Sequence, residues 1–255
     1  MGKTIVIAGG TDGMGRAIAV ERAAAGDTVV AIGSSEEKAR GLPEGVRFLR
    51  ADLASIAEVD RVVRELADVD VLVLMANRLH AKRTVTADGL EATFALYYLS
   101  RFLLAHALKP GLVVAFSAPG ATAGKVHWDD LQLERGYSSV KAQMQAGRMN
   151  DLLGVAFAEE TGIPYVLHHP GFTRTNAISQ MPQPMRAVVR VMEKVAARSV
   201  ADAIRPVLPL IETPPAGGFH PIDRGEPVDP ALRTFDRADA ARLAELTREV
   251  VRRRR

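Results

Sequence analysis

The sequence predicts an α/β protein built on one doubly wound, mostly parallel sheet with helices on both faces, and three observations carry that expectation. Short β-branched runs alternate with longer segments of helical period along most of the 255 residues, the pattern of repeated strand–helix–strand units. A glycine-rich turn, Gly9-Gly10-Thr11-Asp12-Gly13-Met14-Gly15, follows the first of those runs. The hydrophobic content of 47% is enough for a full core, which a chain of this length can bury as one domain over residues 1–255.

The first run, TIVIA at residues 4–8, is rich in β-branched residues and apolar after Thr4, as suits a strand buried on both faces. The same signal returns at residues 28–32, 46–50, 69–75, 112–116 and 164–168. Between and after these, helical period covers residues 14–25, 56–66, 90–107, 137–160, 185–197, 200–210 and 238–254. The proline-containing stretches near 209–230 read as ordered connections, and neither a repeat nor a low-complexity linker interrupts the chain.

Charge and composition exclude several classes of function. The 33 basic and 30 acidic residues are spread evenly, which does not announce a nucleic-acid partner, and the run Arg252–Arg255 reads as a solvated helix end. The absence of cysteine rules out disulfides, a thiol nucleophile and a thiolate metal site, and it fits a cytoplasmic location. The N-terminus lacks the apolar region of a signal peptide, and no apolar run approaches the ~20 residues that span a bilayer. The expectation is a soluble protein whose partner is a small molecule, with no nucleic acid, no membrane span and no metal. His127 with Asp129 and Asp130 reads as a surface loop beside a pocket. At least one of His168 and His169 reads as a hydrogen-bonded core residue.

The turn at Gly9, Thr11, Asp12, Gly13, Met14 and Gly15 is the first candidate site. Glycine lets backbone approach a ligand closely, and the following helix N-terminus offers N–H groups and a positive dipole end to phosphate. The functional reading is a dinucleotide site; the plain one is a tight strand-to-helix turn. At the end of the second strand stand Gly33, Ser34 and Ser35, where a site that accepts ribose hydroxyls usually carries a carboxylate. That leaves room for a 2'-phosphate, with Ser34 and Ser35 as donors and Lys38 or Arg16 as cation, so NADP is expected ahead of NAD. Further on, Tyr137 and Lys141 are four apart on a predicted helix. Both then emerge on one face, with the ammonium able to draw the phenol's pKa down from ~10. A phenol so placed exchanges a proton with a carbonyl or alcohol oxygen.

With that turn, the segment Y-S-S-V-K at 137–141 and H-H-P-G-F-T-R-T at 168–175, the chain resembles the short-chain dehydrogenase/reductase family. It looks most similar to the branch of retinol dehydrogenase-like and related bacterial oxidoreductases, through T-A-D-G-L-E-A-T-F-A-L at 86–96 and G-K-V-H-W-D-D-L-Q at 124–132. The resemblance implies a single-domain Rossmann fold, NAD(P)(H), and redox chemistry between a carbonyl and an alcohol. It assigns Tyr137 the acid/base role and Lys141 a second contact to the nicotinamide ribose. It sets Asp52 and Leu53 near the adenine, and Ala76 and Asn77 at the fourth strand's end. It sets Pro170, Gly171, Phe172 and Thr175 near the nicotinamide carboxamide, and a substrate lid at 176–198 that includes Met181, Met185 and Met192. It also implies a homo-oligomer through the two long helices at 90–107 and 137–160.

Three departures stand against that pattern. Asn77 replaces a glycine of the family. Tyr97 stands where the related branch carries an asparagine, and three readings are open: a substitute for a relay water, a pocket-lining group, or core packing. Ser117 aligns with the first of two family serines and Ala118 with the second, catalytic one, so Ser117 is the weakest of the catalytic candidates. The function expected is an NADP(H)-dependent oxidoreductase acting on an apolar, cyclic or aromatic small molecule. The alternative keeps the fold without the redox step: a cyclase, dehydratase or isomerase, or a non-catalytic dinucleotide-binding module.

Overall fold

Eight strands form one sheet in the order β3-β2-β1-β4-β5-β6-β7-β8 in a computed structural model that describes residues 2–171 and 199–255. They are β1 (Thr4–Ala8), β2 (Thr28–Gly33), β3 (Arg47–Arg50), β4 (Val71–Leu74), β5 (Leu112–Phe116), β6 (Tyr165–His169), β7 (Phe219–Asp223) and β8 (Glu226–Pro227). Every neighbouring pair is parallel except β7 with β8. The apolar runs behave as strands buried from both sides. In β1, Ile5 and Ile7 belong to one core cluster and Val6 and Ala8 to the other, the period-two alternation of a strand between two layers.

Helices cover both faces. On one side α1 (Gly13–Ala24) packs with α6 (Val200–Ile204) and α7 (Leu208–Glu212), through Ile18, Ala19, Ile204 and Ile211. On the other lie α3 (Ile56–Glu65), α4 (Ser100–Leu108) with the π-helical turn Phe94–Leu99 before it, α5 (Ser139–Thr161) and α8 (Arg237–Arg252). The short α2 (Glu36–Ala39) follows β2.

The structure corrects several expectations. The stretch 209–230 is not only connection: it contains β7 and β8, joined by a tight turn in which Arg224 (φ 54°) and Gly225 (φ 100°) both take positive φ. The helix expected over 200–210 is broken into α6 and α7, with Pro206 in the break and Pro209 in the first turn of α7. The helix expected over 137–160 begins at Ser139, because the Ser138 side chain accepts from the backbone N–H of Lys141 at 3.1 Å and caps it. The helix expected over 185–197 lies outside the described residues.

The C-terminal helix α8 packs along α5 and the π-helical turn. Ala240, Leu243, Ala244 and Val251 share one core cluster with Phe102 and Phe157. The Thr247 hydroxyl donates to Leu243 O at 2.7 Å, so the Tyr98 phenol 2.6 Å away is the donor to Thr247 Oγ1. Arg237 pairs with Glu159 at 2.8 Å, Arg248 pairs with Glu160, and the Arg242 guanidinium lies 4.3 Å from the Trp128 ring centroid. Part of the surface expected to meet a second copy thus carries the chain's own α8. Among the described residues no helix is long and apolar enough to cross a membrane.

Candidate active site

Strand order reverses beside β1, with β2 and β3 on one side and β4 onward on the other. In a sheet of this kind the loops diverge at that point and leave a crevice outside the carboxyl ends of the strands. A cavity of about 940 Å³ lies there, lined from the ends of β1, β2, β4, β5 and β6.

The glycine turn forms one wall. Gly9 has φ 87°, and a Cβ on it would stand 2.8 Å from Ala76 N; a Cβ on Gly15 would stand 2.2 Å from Gly9 O. Both contacts are shorter than any side chain tolerates, so the turn closes only with glycine at these two positions. Asp12 caps α1, accepting from Gly13 N at 2.8 Å, and its other oxygen lies 2.6 Å from Lys38 Nζ. The Lys38 ammonium holds the Asp12 carboxyl below its ordinary value. Thr11, Asp12, Gly13 and Met14 line the cavity with Gly9 and Gly15. This bare backbone cradle at a helix N-terminus fits the pyrophosphate of a dinucleotide.

Gly33, Ser34, Ser35 and Lys38 line the neighbouring wall. Ser35 caps α2 by accepting from Lys38 N at 3.3 Å, and the Glu36 carboxylate is engaged by Arg50 at 2.9 Å. Asp52 and Leu53 also line the cavity, and Asp52 Oδ1 accepts from Ala54 N at 3.0 Å. The first N–H of α3 is capped from elsewhere, by Asp88 Oδ2 at 2.8 Å from Ile56 N. Ala76 and Asn77 follow β4 into the lining. Among the described residues the non-glycine positions with positive φ are Lys109, Leu133 and Arg224. The asparagine in the family's glycine position therefore needs no left-handed backbone. Its amide instead pairs reciprocally with Gln143 of α5, at 3.0 and 3.1 Å. Gln143 had no sequence signal, since a glutamine on a helix face is unremarkable until its partner is known.

At the ends of β5 and α4 three polar side chains meet. The Tyr97 phenol donates to Ser117 Oγ at 3.1 Å, and the Arg101 guanidinium lies 4.5 Å from the Tyr97 ring centroid. Arg101 Nη1 donates to Phe116 O at 2.9 Å and to Asn150 Oδ1 at 3.3 Å. Asn150 in turn donates to Tyr97 O at 2.9 Å. Tyr97, Arg101, Ser117 and Ala118 all line the cavity. Of the three readings of Tyr97, the pocket-lining one describes its position.

Tyr137 and Lys141 are arranged differently from expectation. Tyr137 lies before the helix cap, so the two do not project from one helical face. The Tyr137 phenol donates to His80 O at 2.9 Å, Lys141 Nζ lies 3.5 Å from Gly136 O, and neither residue lines the cavity. Burial, followed by the Glu91 carboxylate, pushes the Tyr137 phenol above its ordinary value, the opposite of the shift expected from Lys141.

Pro170 lines the cavity beside β6, and Gly171 has φ 80°. Phe172, Thr175 and the lid at 176–198 lie outside the described residues. His168 is a core residue, with Nε2 3.2 Å from Ala203 O and its ring edge-on to Phe116 at 5.2 Å. His169 lines the cavity, with Nδ1 2.8 Å from Asp223 Oδ1. Asp130 accepts from Glu134 N at 2.8 Å and Arg135 N at 3.1 Å, which closes the loop that carries His127.

A parallel doubly wound sheet with a glycine cradle at its switch point defines a dinucleotide-binding protein of the Rossmann type. Residues 3–183 match the model of the short chain dehydrogenase family. A Streptomyces sp. (strain C5) protein described as a candidate daunorubicin C-13 ketoreductase, DnrU, is 32% identical over 192 residues, which cover 68% of this chain and 67% of that protein. Mouse retinol dehydrogenase 13 is 30% identical over 201 residues, 68% of this chain and 59% of its own length. The chain belongs to the short-chain dehydrogenase/reductase family. Two solved structures share the fold. One is an uncharacterised Mycobacterium paratuberculosis protein, with a TM-score of 0.73, 24% identity and coverage of 98% of this chain and 93% of its own. The other is BdcA in complex with NADPH, with a TM-score of 0.67, 19% identity and coverage of 91% and 98%.

Proposed function

We propose that this chain is an NADP(H)-dependent oxidoreductase that interconverts a carbonyl and an alcohol on an apolar small molecule. The observation that carries the cofactor choice is the end of β2: Ser34, Ser35 and Lys38 face the cavity, and Glu36 is turned to Arg50. Two hydroxyls and an ammonium suit a 2'-phosphate, and the residues of the β2 end that line the cavity include no carboxylate; the one carboxylate beside Lys38 is that of Asp12 in the glycine turn, which Lys38 neutralises. In this reading Gly9, Gly13 and Gly15 cradle the pyrophosphate, Asp52 and Leu53 flank the adenine, and Ala76, Asn77 and Pro170 border the nicotinamide half. When bound, the reduced cofactor supplies the hydride that a carbonyl carbon receives, and the protein's part is to orient both partners and provide a proton.

The relatives' names, a ketoreductase and a retinol dehydrogenase, support an apolar carbonyl or alcohol substrate. So does a cavity lined in part by Leu96, Phe116 and Ala118. The test is thermal denaturation with NADPH or NADH at graded concentrations. NADPH is expected to stabilise by ~2.7 kcal/mol at 100 times its Kd, and NADH to need more ligand for the same effect. No shift with either dinucleotide overturns the reading. Binding without turnover of any carbonyl in a broad panel favours the non-redox alternative.

A further inference from the structure

We infer that Tyr97, set against Arg101, is the proton donor of this site, in the role that Tyr137 and Lys141 were expected to fill. The inference rests on the dinucleotide reading above. Its observations concern the chain's own side chains.

Tyr97 and Arg101 are themselves four residues apart on one continuous helix, from the π-helical turn Phe94–Leu99 into α4, and both reach the cavity. A π-helical turn rotates the side chains that follow it, and such turns gather at functional sites. Arg101 is 1% exposed, and among the described residues it forms no ion pair with a carboxylate. Its Nε has no hydrogen-bond partner. Burial draws its pKa down from the ordinary arginine value, as expected of a cation with no opposing charge beside it. An isolated buried cation is costly unless something negative faces it. Here it faces the π-cloud of Tyr97 at 4.5 Å, and an oxygen anion formed on that ring would add the missing charge.

The rest of the constellation agrees. Ser117 Oγ, 3.1 Å from the Tyr97 phenol, turns from acceptor to donor once that phenol has lost its proton, because a hydroxyl does either. Asn150 fixes both members, through Arg101 and through Tyr97 O. The other three tyrosines are poorly suited: burial pushes the phenols of Tyr98 and Tyr165 far up, and Tyr137 is raised and bonded to His80 O.

During reduction the Tyr97 O–H bond breaks and an O–H bond forms on the former carbonyl oxygen, while the carbonyl carbon takes the hydride that the reduced dinucleotide supplies. The negative charge left on Tyr97 is opposed by Arg101 and hydrogen-bonded by Ser117 until water in the cavity returns a proton. Tyr97 is the catalytic residue, and Arg101 is a positioning residue that acts through it.

The test has two arms. In the first, the apo protein is treated with tetranitromethane, which nitrates reactive phenols, and the nitrated tyrosine is mapped by peptide mass spectrometry with and without NADPH. Tyr97 is expected to react first, to be protected by NADPH, and to lose its priority in Arg101→Met but keep it in Arg101→Lys. The lysine variant decides the point if the methionine variant fails to fold. In the second arm, turnover of isatin and 4-nitrobenzaldehyde with NADPH is followed by dinucleotide absorbance. Tyr97→Phe is expected to lower kcat about 100-fold or more with NADPH affinity within about twofold, and Tyr137→Phe to leave kcat within about threefold. First nitration at Tyr137, or wild-type kcat in Tyr97→Phe, overturns the inference. If Tyr97 is nitrated first but NADPH neither binds nor protects, the dinucleotide reading fails while the reactive phenol stands. If NADPH binds and Tyr137 reacts first, the reverse holds.

Discussion

Replacing Lys38 by methionine tests the cofactor assignment at its narrowest point. The ammonium sits at the cavity wall 2.6 Å from Asp12 Oδ2, with about half of its side chain exposed. A charge-assisted hydrogen bond to a phosphate contributes roughly 1.5–3 kcal/mol, and this exposure argues for the lower end. At ~1.5–2 kcal/mol, the loss is about a 10- to 30-fold rise in Kd for NADPH. A second effect accompanies it. Without Lys38 the Asp12 carboxylate stands unneutralised at the phosphate-binding turn and weakens both dinucleotides. Adding Asp12→Asn to Lys38→Met is therefore expected to restore NADH affinity while leaving NADPH weakened. The fold should survive, since an exposed ion pair is worth at most ~1 kcal/mol. The assay is isothermal titration of both dinucleotides at low and moderate salt, with the NADPH loss shrinking as salt rises. A change of less than twofold in the NADPH-to-NADH affinity ratio would refute the placement of the 2'-phosphate at Lys38.

Two further outcomes concern stability. His106 is stacked 4.1 Å from the Phe102 ring and edge-on to Phe157 at 5.1 Å, with Nδ1 2.8 Å from Phe102 O. Burial lowers its pKa despite the opposing pull of the Phe102 carbonyl and Glu160. The unfolded chain therefore takes up a proton below about pH 6.5 that the folded chain refuses, so stability is complete above that pH and falls as pH drops through it. Tm should decline from pH 7.5 to 5.5, and less steeply in His106→Gln; parallel profiles for the two proteins would contradict the buried neutral imidazole. Leu243 of α8 is 1% exposed among the residues that join α8 to α5. Leu243→Ala should cost about 2–5 kcal/mol by urea denaturation, and a loss below ~1 kcal/mol would mean that α8 is not part of the core.

The sheet was largely legible in the sequence because strand burial is a local property. LVVAF is apolar at every position and TIVIA at every position after Thr4, and a strand between two helical layers accommodates such runs. β7 lacks that local signal: FHPID carries a histidine, a proline and an aspartate, and it becomes a strand only because β6 offers a parallel edge to pair with. The break between α6 and α7 has its local cause in Pro206, and the start of α5 two residues after Tyr137 has its own in the Ser138 cap.

The glycine turn, the serines after β2 and the family itself follow from the order of residues alone, since backbone approach and phosphate binding depend on neighbours one to four positions apart. The choice of working phenol does not. Tyr97 meets Ser117 across 20 residues of chain, and Tyr137 meets His80 across 57. Such distant pairings form only when β5 and α4 pack and when the loop after β4 folds back. The sequence therefore determined that a fold of the short-chain dehydrogenase/reductase family is present, and only the tertiary structure decided which tyrosine faces the cavity.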